Sequence, residues 1–170
     1  MLCSKIAGIS ASSLSFILLL TGILTDYWLV NFGQGLYHEG LWQRCSKNIC
    51  DKLSSKNGYI EGTRGLLIVS AAFMVLGLVS SCLSFANVYV GKISVSLIAS
   101  GLESISAVLL IIGMSVYTAE NTYIVNNSSF NFNWSFFLSW VSVLGLLIAA
   151  VSHILAYKAS PRPGYDTVGS

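Results

Sequence analysis

Few residues in this chain are of a type and spacing that could do chemistry. Cys45 and Cys50 stand close enough to close a small disulfide ring, or to remain two thiols. His38-Glu39 pairs an imidazole with a carboxylate, but no second histidine follows one helical turn on, as a zinc hydrolase helix requires. There is no zinc spacing, no Gly-rich phosphate loop and no basic run. No catalytic residue, metal ligand or cofactor is therefore assigned. Glu103 is an acid inside an apolar run, where an ionisable group is by default a functional hypothesis. Counted from the ends of the apolar runs, Ser12, Ser80, Ser81 and Ser152 fall at its depth, with His153 slightly to one side. A protonated carboxyl hydrogen-bonded inside a bundle is one reading, and a pH-sensitive latch to His153 is the sharper one. No second acid or base is present to make a relay. Asn126, Asn127 and Asn133 each open an Asn-x-Ser triplet, the acceptor for N-glycosylation. The first two are weak candidates and the third a weaker one, because a short loop would hold them near the bilayer. Near the end, Gly164-Tyr165-Asp166-Thr167-Val168 offers an aromatic and an aliphatic side chain at the spacing of a Gly-Tyr-x-x-Φ signal. Such a signal must lie in extended chain so that a partner can take it up as an added strand. Pro161 and Pro163 favour that geometry.

The elements that must position these residues are unusually apolar. In 170 residues, 54% are hydrophobic and only 9% charged, with a mean hydropathy of +0.72. So few charges cannot cover a water-soluble surface. The net charge of +2 carries no footprint for nucleic acid, and no small-molecule substrate is indicated. Four apolar runs predict membrane-spanning helices over about 6–26, 65–87, 93–118 and 135–157. At 1.5 Å per residue, a run of about twenty spans the ~30 Å of a hydrocarbon core. The first run is longer than a signal-peptide core and ends in Asp26-Tyr27-Trp28, so it is read as retained. Small residues recur at four-residue spacing: Gly8, Ser12, Ser15; Gly77, Ser81; Ser96, Ser100, Ser104; Ser142, Gly145, Ala149. They allow helices to approach closely.

Between the first two runs lies a polar, aromatic loop, 27–64. Tyr27 to Phe32, Leu41 to Cys45 and Ile49 to Leu53 are strand-like, with turns at Ser46-Lys47-Asn48 and Asn57-Gly58. The expectation is one domain: an all-α membrane bundle of four helices bearing a small antiparallel β-sheet outside the cytosol. A second loop covers 119–134, and a tail covers 158–170. Both termini are expected in the cytosol, because short basic flanks orient a span more strongly than a long folded loop. On that topology Cys45 and Cys50 face an oxidising compartment, which favours the disulfide over free thiols. Cys3 and Cys82 are expected to be unpaired, and Cys3 is a weak palmitoylation candidate. Trp28, Leu41 and Trp42 are expected to seat the sheet on the bilayer and pack its core rather than to bind a ligand.

Trp28, then Gly40-Leu41-Trp42, then Cys45 and Cys50, and finally Arg64 together resemble the signature of the claudin and peripheral myelin protein superfamily of four-span proteins. The likeness covers nearly the whole chain. Spacings inside the loop are similar to those of the lens-fibre branch, while Val116-Tyr117-Thr118-Ala119-Glu120, and Trp134-Ser135-Phe136 with Ser139-Trp140-Val141-Ser142, are similar to both the lens-fibre branch and the granule branch of natural killer cells. Pro161-Arg162-Pro163-Gly164-Tyr165 looks like the granule branch of natural killer cells, while the cysteine pair is typical of the lens and claudin branches. The resemblance implies a claudin-like fold and a non-enzymatic membrane protein. It further implies residence in plasma and lysosome-related granule membranes, in support of cytotoxic granule exocytosis. The alternative is a cell–cell junction protein. Expected partners are the bilayer, a clathrin adaptor at the tail, and other membrane proteins including further copies of this chain. The end, Val168-Gly169-Ser170, lacks the hydrophobic last residue by which a claudin tail enters a PDZ groove.

Overall fold

A backbone in lipid must satisfy its own polar groups, and helices do so within one segment. The computed structural model describes residues 2–33, 36–47, 49–53, 58–86, 89–90 and 93–159. Its helices are α1 (Leu2–Leu24), α2 (Gly58–Leu83), α3 (Val95–Asn127) and α4 (Trp134–Lys158), all long and apolar enough to cross a membrane. α1 packs chiefly on α4 and α2 on α3, with α3 closing against α4. α1 and α2, joined by the long loop, touch least of these pairs. The outward faces are aliphatic, as for Leu14, Ile17, Leu76 and Leu144, which suits a lipid surround.

Five short strands form one antiparallel sheet: β1 (Leu29–Asn31), β2 (Tyr37–Glu39), β3 (Gln43–Ser46), β4 (Ile49–Lys52) and β7 (Phe130–Phe132). Their order is β4-β3-β2-β1-β7, so the strand after α3 pairs with the strand after α1, Leu29 opposite Phe132. The β3–β4 turn has Lys47 at φ 48°, a left-handed position. Its partner Asn48 lies outside the described residues, as does Asn57 of the other expected turn; Gly58 is already helical. A short ribbon, β5 (Tyr89–Val90) with β6 (Ile93–Ser94), turns the chain between α2 and α3, after a single 3₁₀ turn over Ser84–Ala86. The core is continuous from bundle to sheet: Leu67, Met74, Leu110, Met114 and Leu146 pass into Tyr117, Phe136, Trp28, Leu29 and Leu41.

Three expectations need correction. α3 continues to Asn127, so the first half of the expected loop 119–134 is helix. The sheet lid makes this favourable, because Asn121 and Val125 pack beneath it rather than in water. α2 starts at Gly58, ahead of the expected 65, which places Arg64 on a helix. On α3 the buried stripe reads Ser96, Ser100, Glu103, Ser106, Leu110. Strict four-residue spacing drifts off a 3.6-residue helix, so Ser104 turns outward and bonds its own helix at Ser100 O, 2.8 Å.

Candidate functional site

The end of an α-helix leaves its last carbonyls without helical partners. At the end of α1 two indoles supply them. Trp28 Nε1 donates to Gly22 O at 2.7 Å, and Trp42 Nε1 donates to Ile23 O at 2.9 Å. Trp28 is fully buried, edge-on to Tyr117 (centroids 4.8 Å apart) and to Phe136 (6.0 Å). It therefore lies in the protein core, and the part of seating the sheet in lipid does not fall to it. Trp42 is 40% exposed and carries Arg64 over its ring at 5.0 Å. Arg64 is buried; its Nε donates to Leu41 O at 2.7 Å, and its guanidinium also reaches Leu53 O at 3.3 Å and Glu61 at 2.6 Å. One side chain from α2 thus holds the strand ends before β3 and after β4. Gly40 lies where a Cβ would come within 2.5 Å of the Asp26 backbone, so only glycine lets the chain pass the Thr25-Asp26 segment that follows α1. Trp28, Gly40, Leu41, Trp42 and Arg64, scattered over the first loop, form one joint between sheet and bundle.

Above the joint, Cys45 pairs across the sheet with Cys50 in a disulfide, with Cα atoms 4.0 Å apart. Cys3 and Cys82 are free and exposed. Tyr37 donates to Glu39 at 2.5 Å. Burial, reinforced by the neighbouring Glu39 carboxylate, pushes the Tyr37 hydroxyl well above its ordinary value. An open groove of about 1100 Å³ runs between Asn31, Tyr37, Lys47, Ser128 and Phe130. Asp26, His38 and Cys45 bring ligand-type atoms within 4.8 Å of one another. The Cys45 sulfur is spent in the disulfide and Asp26 accepts from Gln43, so the trio does not offer three free ligands.

Inside the bundle, Glu103 is fully buried and touches every other helix. Ser12 of α1 donates to it, His153 of α4 stands 3.5 Å away, and Gly77 of α2 packs on its methylenes. Ser81 Oγ lies 2.9 Å from His153 Nε2. Glu103 Oε2 and His153 Nδ1 have no partner among the described residues. Ser80 and Ser152, read from sequence at the same depth, instead bond their own helices at Leu76 O and Ile148 O. Because α3 runs on past its expected end, the cluster sits in the half of the bundle nearer the chain termini rather than at its middle.

Asn126 and Asn127 are exposed at the end of α3, and Asn133 caps α4 with its Oδ1 on Trp134 N at 2.7 Å. Gly164, Tyr165 and Val168 lie outside the described residues. Sequence reasoning missed several ties that the small-residue spacing only hints at. Ser70 and Ser106 exchange hydrogen bonds with each other's carbonyls at 3.0 and 2.9 Å, and Lys5 donates to Ser84 O at 2.6 Å.

The sequence profile of the PMP-22/EMP/MP20/Claudin family matches residues 2–153. Lens fiber membrane intrinsic protein of Homo sapiens is 26% identical over 155 residues, covering 89% of this chain and 90% of that protein. Protein NKG7 of Bos taurus is 32% identical over 176 residues, 98% of each chain. Claudin domain-containing protein 2 of Mus musculus is 29% identical over 147 residues, 84% of this chain and 80% of that protein.

Proposed function

The chain belongs to the PMP-22/EMP/MP20/Claudin family, and from that membership we propose a non-enzymatic four-span protein of lysosome-related, cytolytic granule and plasma membranes that supports granule exocytosis. The observation that carries this reading is the tail. Gly164-Tyr165-Asp166-Thr167-Val168 follows shortly after α4 ends at Lys158. Tyr165 and Val168 suit the two pockets of a clathrin adaptor that takes up a peptide as an added strand. Proline is a poor continuation of a helix, and Pro161 and Pro163 stand between α4 and this motif in the sequence. The likeness to bovine NKG7 takes in 98% of the chain and so reaches into this tail, whereas that to the lens fibre protein takes in 89%. A signal of this kind must face the cytosol. The Cys45–Cys50 disulfide favours that orientation, since it belongs in an oxidising compartment on the opposite side.

The test is Tyr165→Ala in cells that carry such granules, followed by microscopy and surface labelling. The variant is expected to leave the granules and accumulate at the cell surface; an unchanged granule distribution removes the reading. The junction reading is favoured by a different observation. β4 is an open sheet edge whose residues are all exposed, Ile49 at 70%, and such an edge can accept a strand from a neighbouring molecule. Immunogold density at lateral cell contacts instead of granules selects that alternative.

A further inference from the structure

The three Asn-x-Ser triplets begin within eight positions of one another, yet the fold treats them differently. From Tyr117, buried in the aromatic cluster under the sheet, α3 runs on to Asn127, about 15 Å further at 1.5 Å per residue. The first turn of this extension is packed: Asn121 is buried, with its amide on Tyr117 O at 2.8 Å. The last turn is open, with Tyr123, Asn126 and Asn127 exposed. The helix therefore lifts the first two triplets away from the bilayer, whose nearness, expected from a short loop, would hinder a transferase.

Two of the three triplets are unsuited as acceptors. Asn133 is engaged as the cap of α4, and the hydroxyl it needs, on Ser135, is fully buried against Thr25 Oγ at 2.8 Å. Asn126 is followed by another helical residue, and the hydroxyl of its triplet, on Ser128, is turned back onto Ile124 O. Asn127 is the last helical residue. Ser128 then adopts an extended conformation, φ −146° and ψ 177°, and Ser129 is exposed. Only here do an exposed amide and an exposed hydroxyl bracket extended chain.

We propose that Asn127 accepts a single N-linked glycan. Its carboxamide nitrogen attacks the anomeric carbon of a lipid-linked oligosaccharyl diphosphate. The C–N bond forms as the anomeric C–O bond breaks. The lipid diphosphate leaves with the electron pair, and one amide proton passes to a base of the membrane transferase. The remaining N–H keeps the bond that Asn127 Nδ2 now makes to Tyr123 O at 2.9 Å, so the fold need not change. The glycan stands on the rim of the groove between Tyr37, Lys47 and Phe130, beside β7 at the edge of the sheet opposite β4. It screens that edge and leaves β4 as the edge open to pairing. The inference rests on the orientation proposed above, with the sheet in the lumen.

The experiment is expression of the full chain in mammalian cells, with gel mobility read before and after peptide N-glycosidase. One glycosidase-sensitive shift is expected in the unmodified chain, in Ser128→Ala, in Asn133→Gln and in the rescue variant Ser129→Thr. It is expected to vanish in Ser129→Ala and Asn127→Gln. A shift that survives Ser129→Ala overturns the assignment. So does an unshifted natural chain. In that case Lys52→Asn, an exposed position of β4 that completes an Asn-Leu-Ser triplet in the sequence, separates the causes. A glycan gained there means that the orientation holds and Asn127 fails; no glycan means that the orientation itself is wrong.

Discussion

Trp28→Phe isolates what one indole N–H does at the joint. Phenylalanine keeps the ring against Tyr117 and Phe136 but removes the donor to Gly22 O. Both residues are buried, so no solvent can replace the lost bond. A buried carbonyl left unpaired costs about 1–3 kcal/mol. The smaller ring also gives up roughly 40 Å² of apolar contact, about 1 kcal/mol at ~25 cal/mol/Å². The sum is about 2–4 kcal/mol, a thirtyfold to several-hundredfold shift in the opening equilibrium at ~1.4 kcal/mol per tenfold. Trp42→Phe supplies the comparison. Its indole makes the same kind of bond, to Ile23 O, but the ring is 40% exposed and headgroups or water can take over. Its cost should stay near 1 kcal/mol. Pulse proteolysis of the chain in lipid nanodiscs across a urea series measures both. If Trp42→Phe costs as much as Trp28→Phe, burial does not decide the strength of these caps and the reasoning fails.

Arg64→Lys should cost about 1.5–3 kcal/mol in the same assay, because one ammonium cannot span Leu41 O and Leu53 O as the guanidinium does. Gly8→Ala would put a Cβ 2.7 Å from the His153 ring and should cost about 1–3 kcal/mol. Gly62→Ala, with open space around it, should instead gain up to ~1 kcal/mol. Tyr37 holds its proton more tightly folded than unfolded, through burial and then Glu39. Its contribution is present below the ordinary tyrosine value and should fall away as pH rises above ~10, toward the raised folded value. An alkaline titration of stability should flatten in Tyr37→Phe, and an unchanged slope would assign the loss to other groups.

The four helices and the sheet were legible because lipid imposes a simple rule: long apolar runs must be helical, and the polar aromatic loop between them must fold outside. The parts that were hidden have physical reasons. α3 overruns its apolar stretch because Asn121 and Val125 are covered by a sheet whose position no local pattern reveals. Glu103 was legible as the lone intramembrane acid and His153 as its neighbour in depth. The choice of Ser12 and Ser81 over Ser80 and Ser152 depends on helix rotation, which depth alone does not give. Trp28 and Trp42 stood out by type. Their target was invisible, because it is a pair of main-chain carbonyls that any sequence possesses.

The placement of β7 beside β1 sets an order of events during synthesis. β1 ends at Asn31 and its partner starts at Phe130, so about a hundred residues separate them; ribosomes deliver ~5–20 residues per second. For roughly 5–20 seconds the nascent protein presents Leu29–Asn31 as an unpaired edge while two further helices are threaded into the bilayer. A strand left open that long invites pairing with a neighbouring nascent chain. The disulfide needs no such wait, since Cys45 and Cys50 emerge together. The lid is thus stapled at one end long before it can close at the other. Conditions that slow α2 and α3 insertion should yield misassembled dimers with an intact Cys45–Cys50 bond.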